Sequence, residues 1–389
     1  YGKDVNTYIQ NDPHNTLRHM LVLLAADKKV GTHIVFDHNL GGGANIYANE
    51  ITGKYTKKRL NTILIRYDFY SNHFKIFHHY KKYTFSFKIA TLEELQEFIS
   101  QLELKEIFLN SLVSFKNCTH ILEYFNHLVE KTKVKLLLPI HDYYAICPSF
   151  TLLNQEGKYC NVPSIEECKA CMSKSTQEWR NFYADDVDIV AWREQWSALL
   201  EKSDHVLCFS NASKEIVLKA YPDLASDTIE VIPHQVAPIA PVQMEAKNTT
   251  TITIGVLGAI NYAKGSQIIK HLVQTIERDN LDMNVVLIGE MSENLKSDHF
   301  HLTGRYQREE LPTIIKNENI DIFLIPSIVP ETFSYTTQEI MMMEMPLMVF
   351  NLGAPAERVS QYDKGYVIDD MSAKGVLEVI KTFRSKEAN

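Results

Sequence analysis

Ile320-Asp321-Ile322-Phe323-Leu324-Ile325-Pro326 leads through three residues into Pro330-Glu331-Thr332-Phe333-Ser334-Tyr335-Thr336-Thr337-Gln338-Glu339, and that into Ile340-Met341-Met342-Met343-Glu344-Met345. The first block is an apolar run of strand length. The second is small and hydroxylated, with carboxylates at Glu331 and Glu339, eight positions apart. The third reads as a helix. A strand, an acidic loop and a helix start bearing a second acid is how an α/β domain builds a site for phosphate and hydroxyl groups. Two capping acids on a solvated helix would give the same local pattern, so the surrounding sequence has to decide.

Working outward, the same alternation fills both halves. Residues 33–37, 62–65, 74–77, 106–110, 134–140 and 205–210 read as strands, and 44–52, 92–101, 119–131, 187–203 and 212–220 as helices. The pattern restarts with strands at 252–258, 284–289, 301–304, 320–326 and 347–350, and helices at 266–278, 308–316, 336–344 and 373–385. Repeated β-α units predict an α/β protein of two Rossmann-like doubly wound domains with parallel sheets. The expected division is 1–240 and 250–389, joined by an aperiodic stretch with Pro238 and Pro241, the last helix crossing back. Ligands then belong in the cleft at the strands' carboxyl ends.

A chain of 389 residues that is 45% hydrophobic has apolar sequence for two cores. It lacks an apolar run of membrane-spanning length and a signal-peptide pattern, which gives a cytoplasmic expectation. It starts at Tyr1 rather than methionine, which reads as a piece of a longer protein. A net charge of −8 argues against nucleic acid as partner. Residues 53–88 depart from that balance, with nine Lys or Arg against the single acid Asp68 and interleaved aromatics. They read as an antiparallel meander with a solvated basic face, or as a surface for peripheral contact with anionic lipid or a pyrophosphate-linked acceptor at the membrane's inner face.

The next candidate is Gly258-Ala259-Ile260-Asn261-Tyr262-Ala263-Lys264-Gly265, directly after the first strand of the second half. It is neither a GxGxxG motif nor a P-loop. Gly258 permits a tight turn, and Lys264 sets a cation at a helix start, a sound diphosphate cradle. Gly289, then Gly304-Arg305-Tyr306, then Glu331 and Glu339 follow in order.

That order and spacing resemble the nucleotide-binding domain of family-4 glycosyltransferases of the GT-B fold, among them enzymes of bacterial polysaccharide and O-antigen synthesis, including rhamnosyltransferase-like members. The resemblance covers nearly the whole chain and is strongest over 252–360. It implies a retaining glycosyltransferase, a nucleotide-diphosphate sugar as donor substrate, a glycan or lipid-linked glycan as acceptor, and no catalytic metal. It implies that Glu339 binds the ribose, Glu331 the donor sugar, Lys264 with Gly258 and the amides around Phe333, Ser334 and Tyr335 the diphosphate, and Arg305 and Tyr306 the nucleobase side. Gly42 and Gly43 in Gly41-Gly42-Gly43 resemble the family's loop near the donor phosphate, and His141, ending a strand at His141-Asp142, the family's cleft histidine. Ala259 stands where many relatives have Arg, which leaves one phosphate cation to be found, with Arg305 a candidate. His234 in Ile232-Pro233-His234 reads as a hinge residue. The alternatives are a GT-B nucleotide-sugar epimerase and a non-catalytic glycan-binding module.

Cys147, Cys160, Cys168 and Cys171 fall within 25 residues, the last two as CxxC. In a reducing compartment such clustering points to a structural, tetrahedral Zn²⁺ before disulfides, with free buried thiols as the other reading.

Overall fold

Apolar runs rich in Ile, Val and Phe become the strands of two sheets. The structure, a computed structural model, describes residues 31–80, 83–116, 118–174, 187–244 and 249–387. The first half runs β1 (Thr32–His38), α1 (Gly42–Lys57), β2 (Asn61–Asp68), β3 (His73–Tyr80), β4 (Tyr83–Ile89), α2 (Leu92–Ser100), β5 (Leu104–Leu109), α3 (Cys118–Thr132), β6 (Lys135–Pro139), α4 (Ile165–Lys174), α5 (Ile189–Glu201), β7 (His205–Cys208), α6 (Asn211–Ala220) and β8 (Ile229–Val231). Its sheet has the order β4-β3-β2-β1-β5-β6-β7-β8. β1 pairs in parallel with both β2 and β5, so the winding reverses between β1 and β5. β3 and β4 add an antiparallel edge.

The second half runs β9 (Ile252–Ile260), α7 (Ser266–Arg278), β10 (Met283–Met291), β11 (Phe300–Gly304), α8 (Leu311–Asn317), β12 (Ile322–Ile325), α9 (Tyr335–Met342), β13 (Leu347–Phe350), α10 (Gly353–Val359), β14 (Gly365–Ile368) and α11 (Ala373–Glu387). Its sheet is parallel, in the order β11-β10-β9-β12-β13-β14, and reverses between β9 and β12. At such a reversal the loops leaving two neighbouring strands part to opposite faces and leave a crevice. Each sheet has its own core, with Ile34, Ile63, Ile107 and Leu136 in the first and Ile254, Leu287, Leu324 and Met348 in the second. The fold class is therefore that expected: α/β, two doubly wound domains.

Differences from the expectation have local causes. β2 is a parallel strand because it completes a β-α-β unit with β1 and α1, so only β3 and β4 of the basic stretch form a meander. α4, α10 and β14 are short and lack a strong apolar period. The last helix does not cross back among the described residues: Val376, Ile380 and Phe383 bury it in the second core. No helix among the described residues is long and apolar enough to cross a membrane.

The halves touch through specific polar contacts. Thr332 Oγ1 donates to the His141 carbonyl at 3.0 Å. Tyr262 OH reaches the Gly157 carbonyl, in the cysteine-rich insertion, at 3.3 Å. Glu357 of α10 accepts from the amides of Asn211 and Ala212 at 3.1 and 2.7 Å, so a carboxylate from one half caps the first turn of α6 in the other.

Candidate functional site

The exit of β9 is shaped by two glycines in register. Gly258, with φ at 118°, pairs with Gly289, and a Cβ on Gly289 would lie 2.0 Å from the Gly258 oxygen. The loop then returns to Gly265, with φ at 85°, whose Cβ would lie 2.0 Å from the Pro326 oxygen. This close approach packs the Lys264 loop onto the exit of β12. Lys264 Nζ lies 2.7 Å from Glu331 Oε2, with the Glu331 side chain 9% exposed. Ser327 Oγ donates to Glu331 Oε1. Burial pushes the Glu331 carboxyl up, but the Lys264 ammonium and the hydroxyls of Ser327 and Ser334 outweigh it and hold it below the usual range. Glu331 is therefore a buried anion, suited to accept hydrogen bonds and unsuited to take a proton at neutral pH.

Three residues on, Ser334 caps α9 from the left-handed side of the map, at φ 66° and ψ 93°. Its hydroxyl accepts from Thr337 Oγ1 at 2.8 Å. A non-glycine residue there carries on the order of 1–3 kcal/mol of strain, held by its surroundings. Part of that hold is Arg358, which donates to the Ser334 carbonyl at 3.1 Å and Gln338 Oε1 at 3.0 Å while lying 4.2 Å over the Phe333 ring. Burial draws the Arg358 pKa down to about 10 against the opposing pull of Glu331 and Glu357. One turn along α9, buried Glu339 accepts from Arg308 Nε at 2.7 Å. Arg308 also reaches the linker carbonyls of Ala237 and Pro238. Burial raises the Glu339 carboxyl above its usual range, and Arg308 only partly offsets this.

In the first domain Gly41 and Gly42 have φ near 81° and 82° and open space about them. Gly43 differs: a Cβ there would sit 2.9 Å from the Tyr335 ring of the other half. His141 Nε2 lies 2.8 Å from Asn110 Oδ1, and its ring stacks on Phe209. His234 in the linker stacks between Phe209, 3.8 Å away, and Tyr335, 5.1 Å away, with Phe333 edge-on. Burial, reinforced by Arg358, lowers the His234 pKa to about 4.

The structure thus brings Lys264, Glu331, Phe333, Ser334, Tyr335, Gly43 and His141 around the line where the two halves meet. Tyr306 is half-buried near Glu339; burial and then that carboxylate push its hydroxyl up to about 12. Arg305 is different: 84% exposed, it pairs with Glu290 at the surface. The half-buried cations beside α9 are instead Arg308 and Arg358, neither of which stood out in the sequence. Each has an acid as its chain neighbour, Glu309 after Arg308 and Glu357 before Arg358, yet each makes its site contacts 20 or more residues away, at Glu339 and at Ser334 and Gln338, so the pairing becomes visible only once the loops are folded together.

Cys147, Cys160, Cys168 and Cys171 line a common cavity of about 390 Å³. They ring its wall, Arg193 Nη2 approaches Cys168 Sγ at 3.3 Å, and burial pushes the thiols of Cys147, Cys160 and Cys168 up. Among the described residues no three His, Cys, Asp or Glu side chains are grouped to hold a metal ion, so the zinc expectation finds no support and all four are free thiols.

Residues 242–388 match the family model described as glycosyl transferases group 1. Among curated proteins none matches the chain. Among solved structures the chain is similar to sucrose-phosphate synthase from Thermosynechococcus elongatus, at 14% identity and TM-score 0.57, covering 92% of this chain and 90% of that one. It is similar to a glycosyltransferase from Rickettsia africae, at 14% identity and TM-score 0.55, with coverages of 92% and 89%. HepE from Anabaena, solved in complex with UDP-glucose, aligns at 11% identity and TM-score 0.52, with coverages of 92% and 91%. At these identities the likeness establishes the fold, and with the match over the second half it supports a GT-B glycosyltransferase.

Proposed function

We propose that this chain is a retaining glycosyltransferase of the family-4 type, moving a sugar from a nucleotide-diphosphate donor to a hydroxyl of a growing bacterial surface glycan. The observation that carries the reading is the Lys264–Glu331 ion pair at the β9/β12 reversal, inside the half that matches group 1 glycosyltransferases. The UDP-glucose bound by the HepE neighbour supports a nucleotide-sugar donor.

In this reading Glu331 accepts hydrogen bonds from donor-sugar hydroxyls. Lys264 and the amides opening α9 take up the leaving diphosphate's charge. Arg308 holds Glu339 Oε1, leaving Oε2 for the ribose hydroxyls. Arg358 fixes the Ser334 turn that aims those amides. The acceptor hydroxyl attacks the anomeric carbon on the face the diphosphate leaves. The carbon–oxygen bond to phosphate breaks, and the acceptor proton passes to the departing phosphate oxygen. Positioning and charge stabilisation supply the rate, and no side chain acts as a dedicated base. The basic stretch 53–88, whose strands β3 and β4 form the sheet's antiparallel edge, is read as the face turned to a lipid-linked acceptor at the inner membrane surface, with Tyr70 exposed beside it.

The test is incubation with a panel of nucleotide-sugars, with and without glycan acceptors, following release of nucleoside diphosphate. Acceptor-dependent release, reduced about tenfold or more by Glu331→Gln, supports transfer. An altered sugar still on its nucleotide would make the protein an epimerase. Tight glycan binding without turnover would make it a binding module.

A further inference from the structure

The exits of β1 and β5, at the first sheet's own reversal, hold a buried polar chain that the donor site does not use. Asp37 and Asn110 are 0% and 1% exposed. Asn110 Nδ2 donates to Asp37 Oδ1 at 2.8 Å and to the Ala44 carbonyl at 3.0 Å. Asn110 Oδ1 faces His141 Nε2 at 2.8 Å. The other oxygen of Asp37 accepts from Arg66 at 3.2 Å and from Asn45.

These contacts leave one consistent assignment of protons. A carboxylate paired with a guanidinium and a backbone carbonyl are both acceptors, so the group Asn110 turns toward them is its NH₂. Turning the amide over would set its oxygen against two acceptors in a buried site, at about 1–3 kcal/mol for each polar group left unpaired. Asn110 therefore offers only its oxygen to His141, and His141 Nε2 carries the hydrogen. Burial and the nearby His234 and His38 hold the imidazole neutral, well below its usual range. A neutral ring with its proton on Nε2 has a lone pair on Nδ1.

We propose that Asp37 and Asn110 are positioning residues that fix His141 in the Nε2–H tautomer, so that Nδ1 serves as a hydrogen-bond acceptor for a hydroxyl of the bound sugar. A second link fixes the ring against the donor loop: Thr332, next to Glu331, donates to the His141 carbonyl. Phe209, Tyr47 and His234 pack against the ring. His141 then selects a hydroxyl and disfavours a group that only accepts. The ligand rests on the function proposed above, whereas the tautomer does not.

The test is proton–nitrogen correlation NMR of the ligand-free protein carrying isotope-labelled histidine, with the His141 signal assigned by its loss in His141→Gln. The expected result is a neutral ring protonated on Nε2. A ring protonated on Nδ1, or on both nitrogens at neutral pH, overturns the proposal, whatever the protein's activity. Asp37→Asn provides an amide that can donate to Asn110, freeing Asn110 to turn its own NH₂ toward His141. Its folded form is expected to populate the Nδ1–H tautomer and to lose about tenfold in kcat/KM, one neutral hydrogen bond. Asn110→Ala, which removes the acceptor from Nε2, is expected to give a mixture of tautomers. Either variant folded with His141 unchanged overturns the role of the pair. The Nε2–H tautomer in a protein that transfers no sugar would refute the function and leave the relay standing.

Discussion

Replacing Lys264 by Met separates what holds the donor loop from what acts on the donor. The Lys264 side chain is 39% exposed, and its ammonium lies 2.7 Å from the carboxylate of a side chain that is only 9% exposed. Removing one partner of a fully buried pair costs about 3–5 kcal/mol, because the other charge stays buried and unpaired. Lys264 still meets water over more than a third of its surface, so screening brings the expected loss to about 1–2 kcal/mol. Urea unfolding at pH 7 measures it. The sign with pH follows from Glu331. Its folded pKa lies below the unfolded one, so its stabilisation is present above the unfolded pKa and lost as pH falls through the folded value. In the variant burial dominates and raises that carboxyl, so the gap between the two proteins narrows on acidification. Turnover is expected to fall by about 10- to 150-fold, the equivalent of a charge-assisted hydrogen bond of roughly 1.5–3 kcal/mol to the leaving diphosphate. Lys264→Met with Glu331→Leu should recover part of the stability and none of the turnover. Lost stability with wild-type turnover would refute the catalytic reading. Wild-type values in both assays would refute the pair altogether.

Glu357→Ala removes an anion from the first turn of α6 and should lower stability by about 1 kcal/mol, read by urea unfolding. Burial pushes the Cys147 thiol up to about 12, so in the native protein alkylation at neutral pH should be far slower than after unfolding in urea. His234 is buried neutral with a pKa of about 4, so between about pH 4 and its unfolded value near 6.5 the unfolded chain binds the extra proton. Stability is thus fully present above that window and is lost as pH falls through it. His234→Asn should flatten the slope there by up to about 1.4 kcal/mol per pH unit.

Periodicity carried most of the fold. α7 was readable to the residue because Ile269, Leu272, Val273 and Ile276 recur at helical spacing and are buried in the second core. Lys264 and Glu331 were legible because each sits in a loop between a strand exit and a helix start, and Glu339 because it lies one turn into the helix that follows, where local chain geometry sets position. Arg308 and Arg358 were not, because an arginine finds its partner through tertiary packing: Arg358 meets Phe333 and Ser334 only after β13 and α10 fold back beside α9. Asn110 was missed for a related reason. It ended a predicted strand as one polar residue among many, and its partners lie at distances of 73 and 31 residues along the chain. The cysteine cluster shows the converse. Spacing alone placed four thiols near one another, and the fold does so, but spacing cannot tell a ring around a void from convergence on a point.

Gly43 sets how near the two halves can come. Tyr335, whose ring a Cβ on Gly43 would meet at 2.9 Å, cannot swing aside freely, since it is stacked against His234 and edge-on to Phe333. The snug fit of the cleft therefore depends on a hydrogen where every other residue has carbon. Ala, Ser and larger residues at 43 form a graded series of wedges, each holding the jaws ajar by a few tenths of an ångström more. Such a series is a dial on how tightly water is shut out while the sugar is between partners.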